Sequence, residues 1–292
     1  MASQRLRLAE NEPGPFFVDE TCIDCDTCRQ LAPGVFDRSA GRGCSYVAHQ
    51  PLTDEDRRDA RLALIACPAG SIGAGDKQGL AQAARTFPVP VDAEVFYCGY
   101  AAADSYGASS YLIQRQAGNV LIDSPRAAVP LMTRLTQLGG VSLMFLSHRD
   151  DVADHARFAQ RFACRRVLHA ADASDDTREV EQLWDGDQPR QLADDLLSIP
   201  VPGHTRGSAA LLYRNKYLFS GDHMWGTADG SRLTASRSVC WHSWPEQLAS
   251  MERLLDFSFE WVLPGHGRRF QAGSPAQMRR AIEDLLRRLR QC

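Results

Sequence analysis

Two stretches of this sequence carry side chains that could bind metal. The denser is Val141–His155, V-S-L-M-F-L-S-H-R-D-D-V-A-D-H. Its apolar run stops at Ser147, and His148, Asp150, Asp151, Asp154 and His155 follow within eight residues. A short apolar run bounded by polar residues reads as a buried strand. Asp at a strand-to-helix junction suits an N-cap, so a helix is expected to start near Asp150. On that helix Asp150 and Asp154 would share a face, and so would Asp151 and His155. Imidazole and carboxylate together suit zinc or non-haem iron. The plainer alternative is a surface loop with Asp caps and incidental histidines. The second stretch holds Cys22, Cys25 and Cys28 at C-x2-C-x2-C spacing, with a remote Cys67 followed by Pro68. One tight loop can wrap three thiolates around a metal group while a fourth closes it from another element. A four-cysteine zinc site is the alternative, although zinc ribbons usually pair two C-x2-C hairpins.

Length and composition bound the elements that must position these groups. A chain of 292 residues allows one large domain or two smaller ones. Hydrophobic content of 44% and charged content of 24% are ordinary for a soluble globular protein. A net charge of −3 gives no reason to expect nucleic-acid or membrane partners. No apolar run reaches the length of a membrane span, and the N-terminus lacks the apolar core of a secretory signal. Nine cysteines are an odd count, with four in one pattern. That points to metal ligation in a reducing, cytoplasmic setting rather than to a disulfide framework.

The cysteine pattern resembles single-cluster bacterial ferredoxins over roughly the first seventy residues. The resemblance implies one [4Fe-4S] cluster held by Cys22, Cys25, Cys28 and Cys67. Cys44 lies between the two halves and is read as a small buried residue, because Pro68 favours Cys67 as the fourth ligand. P-L-T-D-E-D-R-R-D-A-R-L-A-L-I-A reads as an amphipathic helix capped at Thr53, with Cys67 at its C-terminal end. Leu80–Pro90 reads as a linker. The expected domains are therefore 1–86 and 87–292.

In the second segment each polar candidate follows an apolar run. N-V-L-I-D-S ends at Asp123, and L-L-S-I-P-V-P-G-H-T-R-G-S is a strand followed by a loop carrying His204. K-Y-L-F-S-G-D ends at Asp222, and E-W-V-L-P-G-H-G ends at His266. Ala127–Leu138 reads as a helix stopped by Gly139–Gly140, a second helix runs through Phe158 and Phe162, and Pro275–Arg290 reads as a closing helix. L-I-D-S, S-H-R-D-D-V-A-D-H, P-G-H-T-R-G-S, S-G-D and P-G-H-G, in this order, resemble the metallo-β-lactamase superfamily over about two hundred residues. The resemblance implies an α/β fold, an αββα sandwich preceded here by a small α+β ferredoxin-like domain. It also implies one or two metal ions, zinc or iron, at the sheet edge. By position it carries over His148, His204, Asp222 and His266 as ligands, with Asp222 as bridge.

The sequence departs from the family's H-x-H-x-D-H motif. Asp150 stands where the second histidine belongs, and the Asp-His pair comes two residues late at Asp154–His155. A carboxylate in place of an imidazole hardens the site and favours iron or manganese over zinc. Asp150 and His155 are read as ligands, and Asp151 as a ligand or a catalytic proton acceptor. Asp154 reads equally as a solvated helix residue. His223 and His242 could line a pocket but read first as packed or solvent-facing side chains. His49 and His169 read as structural, and Trp225, Trp241 and Trp244 as core or pocket wall. Cys98, Cys164, Cys240 and Cys292 read as ordinary thiols. Three functions follow. The first is a metal-dependent hydrolase of an ester, thioester or phosphoester, a small-molecule substrate, with an iron–sulfur accessory domain. The second is an oxidoreductase whose iron site receives electrons from the fused cluster, with a possible redox partner protein. The third is a non-enzymatic redox sensor.

Overall fold

The computed structural model describes residues 2–291, so Cys292 lies outside the described residues. Two sheets carry most of the strands. One has seven strands in the order β11-β10-β9-β8-β7-β6-β5, and the other six in the order β12-β13-β14-β15-β18-β19. The labels follow chain order, from β1 (Phe17–Val18), β2 (Phe36–Arg38), β3 (Ser45–Val47) and β4 (Ile72–Gly73) to the strands placed below. The chain divides into two compact units, Met1–Ser142 with Ala153–Ala163, and Leu143–Val152 with Cys164–Cys292. The expected boundary at 86/87 falls inside the first.

The first unit begins with the small α+β part. Helices α1 (Thr27–Leu31) and α2 (Asp54–Ala66) accompany the antiparallel pairs β1–β4 and β2–β3. Its core includes Phe16, Val18, Val35, Phe36, Ala60 and Ile72. The expected cap of α2 forms a full capping box, Thr53 accepting from Asp56 N and the Asp56 carboxylate from Thr53 N. The Leu80–Pro90 stretch is not a linker. It folds as α3 (Leu80–Thr86) and runs into β5 (Val89–Asp92). L-A-Q-A-A-R has high helix propensity. β5 ends the sheet order, where a proline without an N–H is tolerated. Strands β6 (Val95–Tyr97), β7 (Tyr111–Ile113) and β8 (Val120–Ile122) continue antiparallel from it. Helix α4 (Val129–Gln137) ends as read, with Gly139 at φ +98° and Gly140 at +77°. Helix α5 is His155–Phe162, with Phe158 fully buried.

The second unit pairs β9 (Leu143–Phe145), β10 (Arg165–His169) and β11 (Gln182–Trp184) in parallel. Strands β12 (Arg190–Ala193), β13 (Leu196–Pro200), β14 (Ala209–Tyr213) and β15 (Tyr217–Gly221) run antiparallel. After the small hairpin β16 (Trp225–Gly226) and β17 (Leu233–Thr234), β18 (Trp261–Pro264) pairs parallel to β15, with β19 (Phe270–Gln271) beyond it. Helices α6 (Trp244–Arg253) and α7 (Pro275–Gln291) pack Met251, Met278 and Ile282 against Leu212, Leu218 and Val262. α6 had no place in the sequence reading. Its cap is Ser243, which accepts from Glu246 N. This is the mixed α/β, two-sheet architecture expected of the larger segment.

Parallel pairing decides where the chemistry falls. Residues that follow neighbouring parallel strands emerge at the same edge. His148 and Asp172 therefore follow β9 and β10, and Asp222 and His266 follow β15 and β18. The β13–β14 loop carrying His204 also lies at the C-terminal end of β15, because β14 runs antiparallel to it. β11 is pinned to β10 by Arg166, whose Nε and Nη2 fork onto Glu181 at 2.9 and 2.8 Å. That fork holds the Glu181 carboxyl down at about 2. A depressed folded-state value stabilises above the ordinary carboxylate range, and the stabilisation fades as pH falls toward 2. Glu181→Gln should therefore lower the melting temperature at pH 7, and the gap to the parent should narrow between about pH 4.5 and 2 in thermal melts. An unchanged gap across that window would show that the pair does not contribute in its charged form.

Candidate metal centres

In the first unit Cys22, Cys25, Cys28 and Cys67 line one apolar cavity, and Cys44 is not among its lining residues. The β1–α1 loop supplies Cys22 and Cys25, the first turn of α1 supplies Cys28, and the C-cap of α2 supplies Cys67. Backbone N–H groups already point at two sulfurs, Ser45 N to Cys22 Sγ at 3.4 Å and Ser71 N to Cys67 Sγ at 3.3 Å. Donors of this kind stabilise the anionic sulfur of a cluster ligand. Burial pushes the Cys28 thiol up to about 12 and the Cys25 thiol to about 11, so without a metal these thiols stay protonated. Metal displaces those protons. Gly107, at φ +88°, brings the Ala101–Ala108 turn against this loop. A Cβ there would lie 2.6 Å from Cys25 Cβ and 3.1 Å from its Sγ.

In the second unit the structure brings together His148, Asp150, Asp151, His204, Asp222 and His266. Two donor sets, His148–Asp150–His204 and His148–Asp151–Asp222, each have their ligand atoms within 4.8 Å of one another. His148 Nε2 lies 4.0 Å from Asp150, 3.9 Å from Asp151 and 3.9 Å from Asp222. His204 Nε2 lies 3.3 Å from Asp150 and 3.7 Å from Asp222. An ion held at about 2.0–2.2 Å from each donor spans separations of this order. Both Nε2 atoms are buried without a hydrogen-bond partner. Their Nδ1 atoms are engaged, His148 with Ser147 Oγ at 2.9 Å and His204 with Val239 O at 2.6 Å. A carbonyl can only accept, so His204 donates from Nδ1 and turns a lone pair on Nε2 into the site, the arrangement of a metal-ligating histidine.

The electrostatics agree. Burial holds His148 down to about 4, against the pull of Asp222, so its imidazole is neutral. Burial would lower His204 too, but the Asp150 carboxylate and Asp222 raise it. Burial would raise Asp222, but His266, with Nδ1 2.8 Å from both its oxygens, and then His148 and His204 hold it well below the usual carboxylate range. Asp150 is lowered chiefly by His204, whose Nε2 lies 3.3 Å away. Carboxylates converging on the buried Nε2 atoms of His148 and His204 make a site that a cation completes. Gly265 leaves room for this, since a Cβ there would meet Asp151 Oδ2 at 2.7 Å and Asp222 Oδ1 at 2.9 Å.

The helix does not begin at Asp150. Arg149–Asp151 is one 3-10 turn, Ala153 sits at φ +27°, and α5 starts only at His155. A left-handed residue cannot continue a right-handed helix, so Asp150 and Asp154 do not share a face. Asp154 instead accepts from Ala127 N at 2.8 Å. His155 is buried at the start of α5 in the first unit and belongs to neither donor set. His223 is buried, held neutral by desolvation at about 3. His242 is partly exposed and lies 3.5 Å from Glu246.

Asp172 was missed. It is fully buried and accepts from Arg149 N at 3.0 Å, Thr205 Oγ1 at 2.5 Å and Gly207 N at 2.6 Å. One carboxylate thus ties the His148 loop to the His204 loop. Gly207 is required for it, because a Cβ would fall 2.7 Å from Asp172 Cγ. The signal was available: Asp172 follows the apolar strand R-R-V-L-H-A as every other candidate follows its own.

Comparison with known proteins bears on both parts. Residues 18–74 match the model of the 4Fe-4S single cluster domain of Ferredoxin I. Ferredoxin-1 of Streptomyces griseolus is 37% identical over 51 residues, 18% of this chain and 74% of that protein. Through this N-terminal segment the chain belongs to the single-cluster 4Fe-4S ferredoxin family. The chain is also similar to metallo-β-lactamase-fold structures. The B3 metallo-β-lactamase BLEG-1 is 18% identical, with 59% of this chain and 90% of that one covered and a TM-score of 0.47. ETHE1 from Myxococcus xanthus is 20% identical, with 65% and 84% covered and a TM-score of 0.47. TTHA1623, crystallised in a di-iron-bound form, is 21% identical, with 67% and 98% covered and a TM-score of 0.47. Among the described residues no helix is long and apolar enough to cross a membrane.

Two outcomes are expected. Protein purified without oxygen should lose its visible iron–sulfur absorption in Cys67→Ser and keep it in Cys44→Ser; the reverse would exchange the two assignments. Asp172→Ala should weaken metal binding in the second unit by roughly 10–100-fold, as loss of an outer-shell partner does. Metal titration followed by elemental analysis measures this, and unchanged affinity would remove Asp172 from the site.

Proposed function

We propose that the larger segment is a metal-dependent hydrolase of the metallo-β-lactamase superfamily, acting on an ester, thioester or phosphoester. The observation that carries this reading is the convergence of His148 Nε2 and His204 Nε2, both without partners, on the carboxylates of Asp150, Asp151 and Asp222. A divalent metal bound there would lower the pKa of a coordinated water to about 7 and polarise a carbonyl or phosphoryl oxygen. His148, Asp150 and His204 would hold one position. Asp151 and Asp222, with His266 on Asp222, would hold a second. Asp150 is the half-exposed carboxylate of the group, its side chain 44% accessible, and faces incoming substrate. Asp151 is buried beside His148, which favours its role as ligand over that of proton acceptor. The N-terminal segment would hold one [4Fe-4S] cluster on Cys22, Cys25, Cys28 and Cys67.

One observation favours a second reading, an oxidoreductase. Three carboxylates against two imidazoles form a hard donor set, which suits iron or manganese better than zinc. A ferredoxin segment in the same chain could deliver electrons to such an iron site, and a redox partner protein would reduce the cluster.

Metal analysis of protein made without added metal separates the two. Zinc supports hydrolysis, and iron beyond the cluster's own supports redox chemistry. His204→Ala and Asp222→Ala should each lower metal occupancy in the second unit and leave the cluster absorption intact. Full retention of metal in both variants would sink the metal-centre reading.

A further inference from the structure

The backbone between Val239 and Ser243 is hung on the loop that carries His204. Val239 O accepts from His204 Nδ1 at 2.6 Å. Trp241 N and His242 N both donate to His204 O, at 2.9 and 3.0 Å. Ser243 N donates to Gly203 O at 2.9 Å, and Cys240 Sγ donates to the same carbonyl at 3.1 Å. Five bonds thus end on two residues, and α6 begins immediately after them. A segment held this way is a fixed wall rather than a mobile lid.

That wall carries an indole in an unusual state. Trp241 is 61% exposed, the one exposed tryptophan among the described residues. Its ring centroid lies 6.1 Å from the His204 ring, tilted by 58°. His242 next to it is occupied with Glu246. An apolar ring of this size left in water loses about 25 cal/mol for every Å² that burial would cover. An indole on a fixed backbone has only two side-chain torsions to order on contact, which makes it an efficient recognition surface.

We propose that Trp241 determines substrate specificity, and that the substrate carries a neutral planar group, aromatic or conjugated, beside the atom engaged at the His148–Asp150–His204 centre. The proposal rests on the metal-centre reading above. Position assigns the role: the indole stands in solvent 6.1 Å from the His204 ring, within reach of a group carried by a molecule engaged at the centre. Charge selects the kind of group. An indole face also attracts cations, but a cationic group here would lie close to a bound metal ion and be repelled by it. A flat neutral group keeps the stacking without that repulsion, and such ring pairs contribute about 0.5–1.5 kcal/mol beyond area burial.

The test uses two metal-chelating probes that differ in the planar group, benzohydroxamate and acetohydroxamate. Each is titrated by calorimetry into the full-length protein loaded with zinc, with zinc content measured for every variant. Benzohydroxamate should bind about 3- to 10-fold more tightly. Trp241→Ala should bring the two affinities together by weakening benzohydroxamate alone, and Trp241→Phe should restore most of the preference. Equal affinities in the parent protein, or a preference that survives Trp241→Ala, would overturn the proposal and leave the metal centre standing. If neither probe binds to zinc-loaded protein, the metal-centre reading fails and the proposal fails with it.

Discussion

Asp150, Asp151 and Asp222 stand within about 4 Å of His148 Nε2, and the surrounding chain keeps most of this volume from water. Carboxylates placed so closely repel one another. Burial denies them solvation, and burial also keeps His148 from taking the proton that would help. His266 answers part of the charge on Asp222 through Nδ1, and Arg149 Nε reaches Asp150 at only 3.8 Å. An arrangement of this kind persists in a folded protein when a cation belongs to it or when the surrounding structure fixes it rigidly. Here the rigid fixing is visible, and it tells which loops matter.

The fixing works through backbone more than side chains. Parallel pairing of β9 with β10 and of β15 with β18 sets four polar residues at common strand ends. Asp172 then ties Arg149 N to Gly207 N, so the His148 and His204 loops cannot drift independently. Ala209 N donates to Ser147 O and adds a second tie between the same loops. Gly265 and Gly207 are small because carboxylates occupy the space where their Cβ atoms would be. The first glycine of P-G-H-G and the glycine of H-T-R-G-S are thus packing requirements of carboxylates that come from other loops.

Much of this was legible in the sequence. Apolar runs that stop at a polar residue announce strand ends, and His148, Asp222 and His266 all followed that pattern. Thr53 with Asp56 announced the capping box at α2, and the cysteine spacing announced the thiol-lined cavity. The start of α5 was not legible, because it depends on Ala153 taking a left-handed conformation that alanine propensity argues against. Leu80–Pro90 looked like a linker because its prolines were read as breaks, whereas at the end of a sheet order they are tolerated. The Val239–Ser243 wall left no trace. It contributes carbonyls and N–H groups to His204, and every residue type offers those.

The identity of a ligand is set by the sequence, but its donor strength is set by what the other ring nitrogen touches. Val239 O accepts from His204 Nδ1 at 2.6 Å, short for an N–H···O bond, and so pushes electron density toward Nε2. Ser147 Oγ holds His148 Nδ1 through a hydroxyl, a weaker and rotatable partner. The two imidazoles are therefore unequal donors to the same volume, with His204 the more basic; Asp150 and Asp222 also raise it, while burial lowers His148. Asp150, the one half-exposed carboxylate of the group, stands beside the stronger imidazole, at 3.3 Å, rather than beside His148 at 4.0 Å. A hard anion paired with a strengthened nitrogen donor raises the charge offered to a metal on the side of the site that meets solvent.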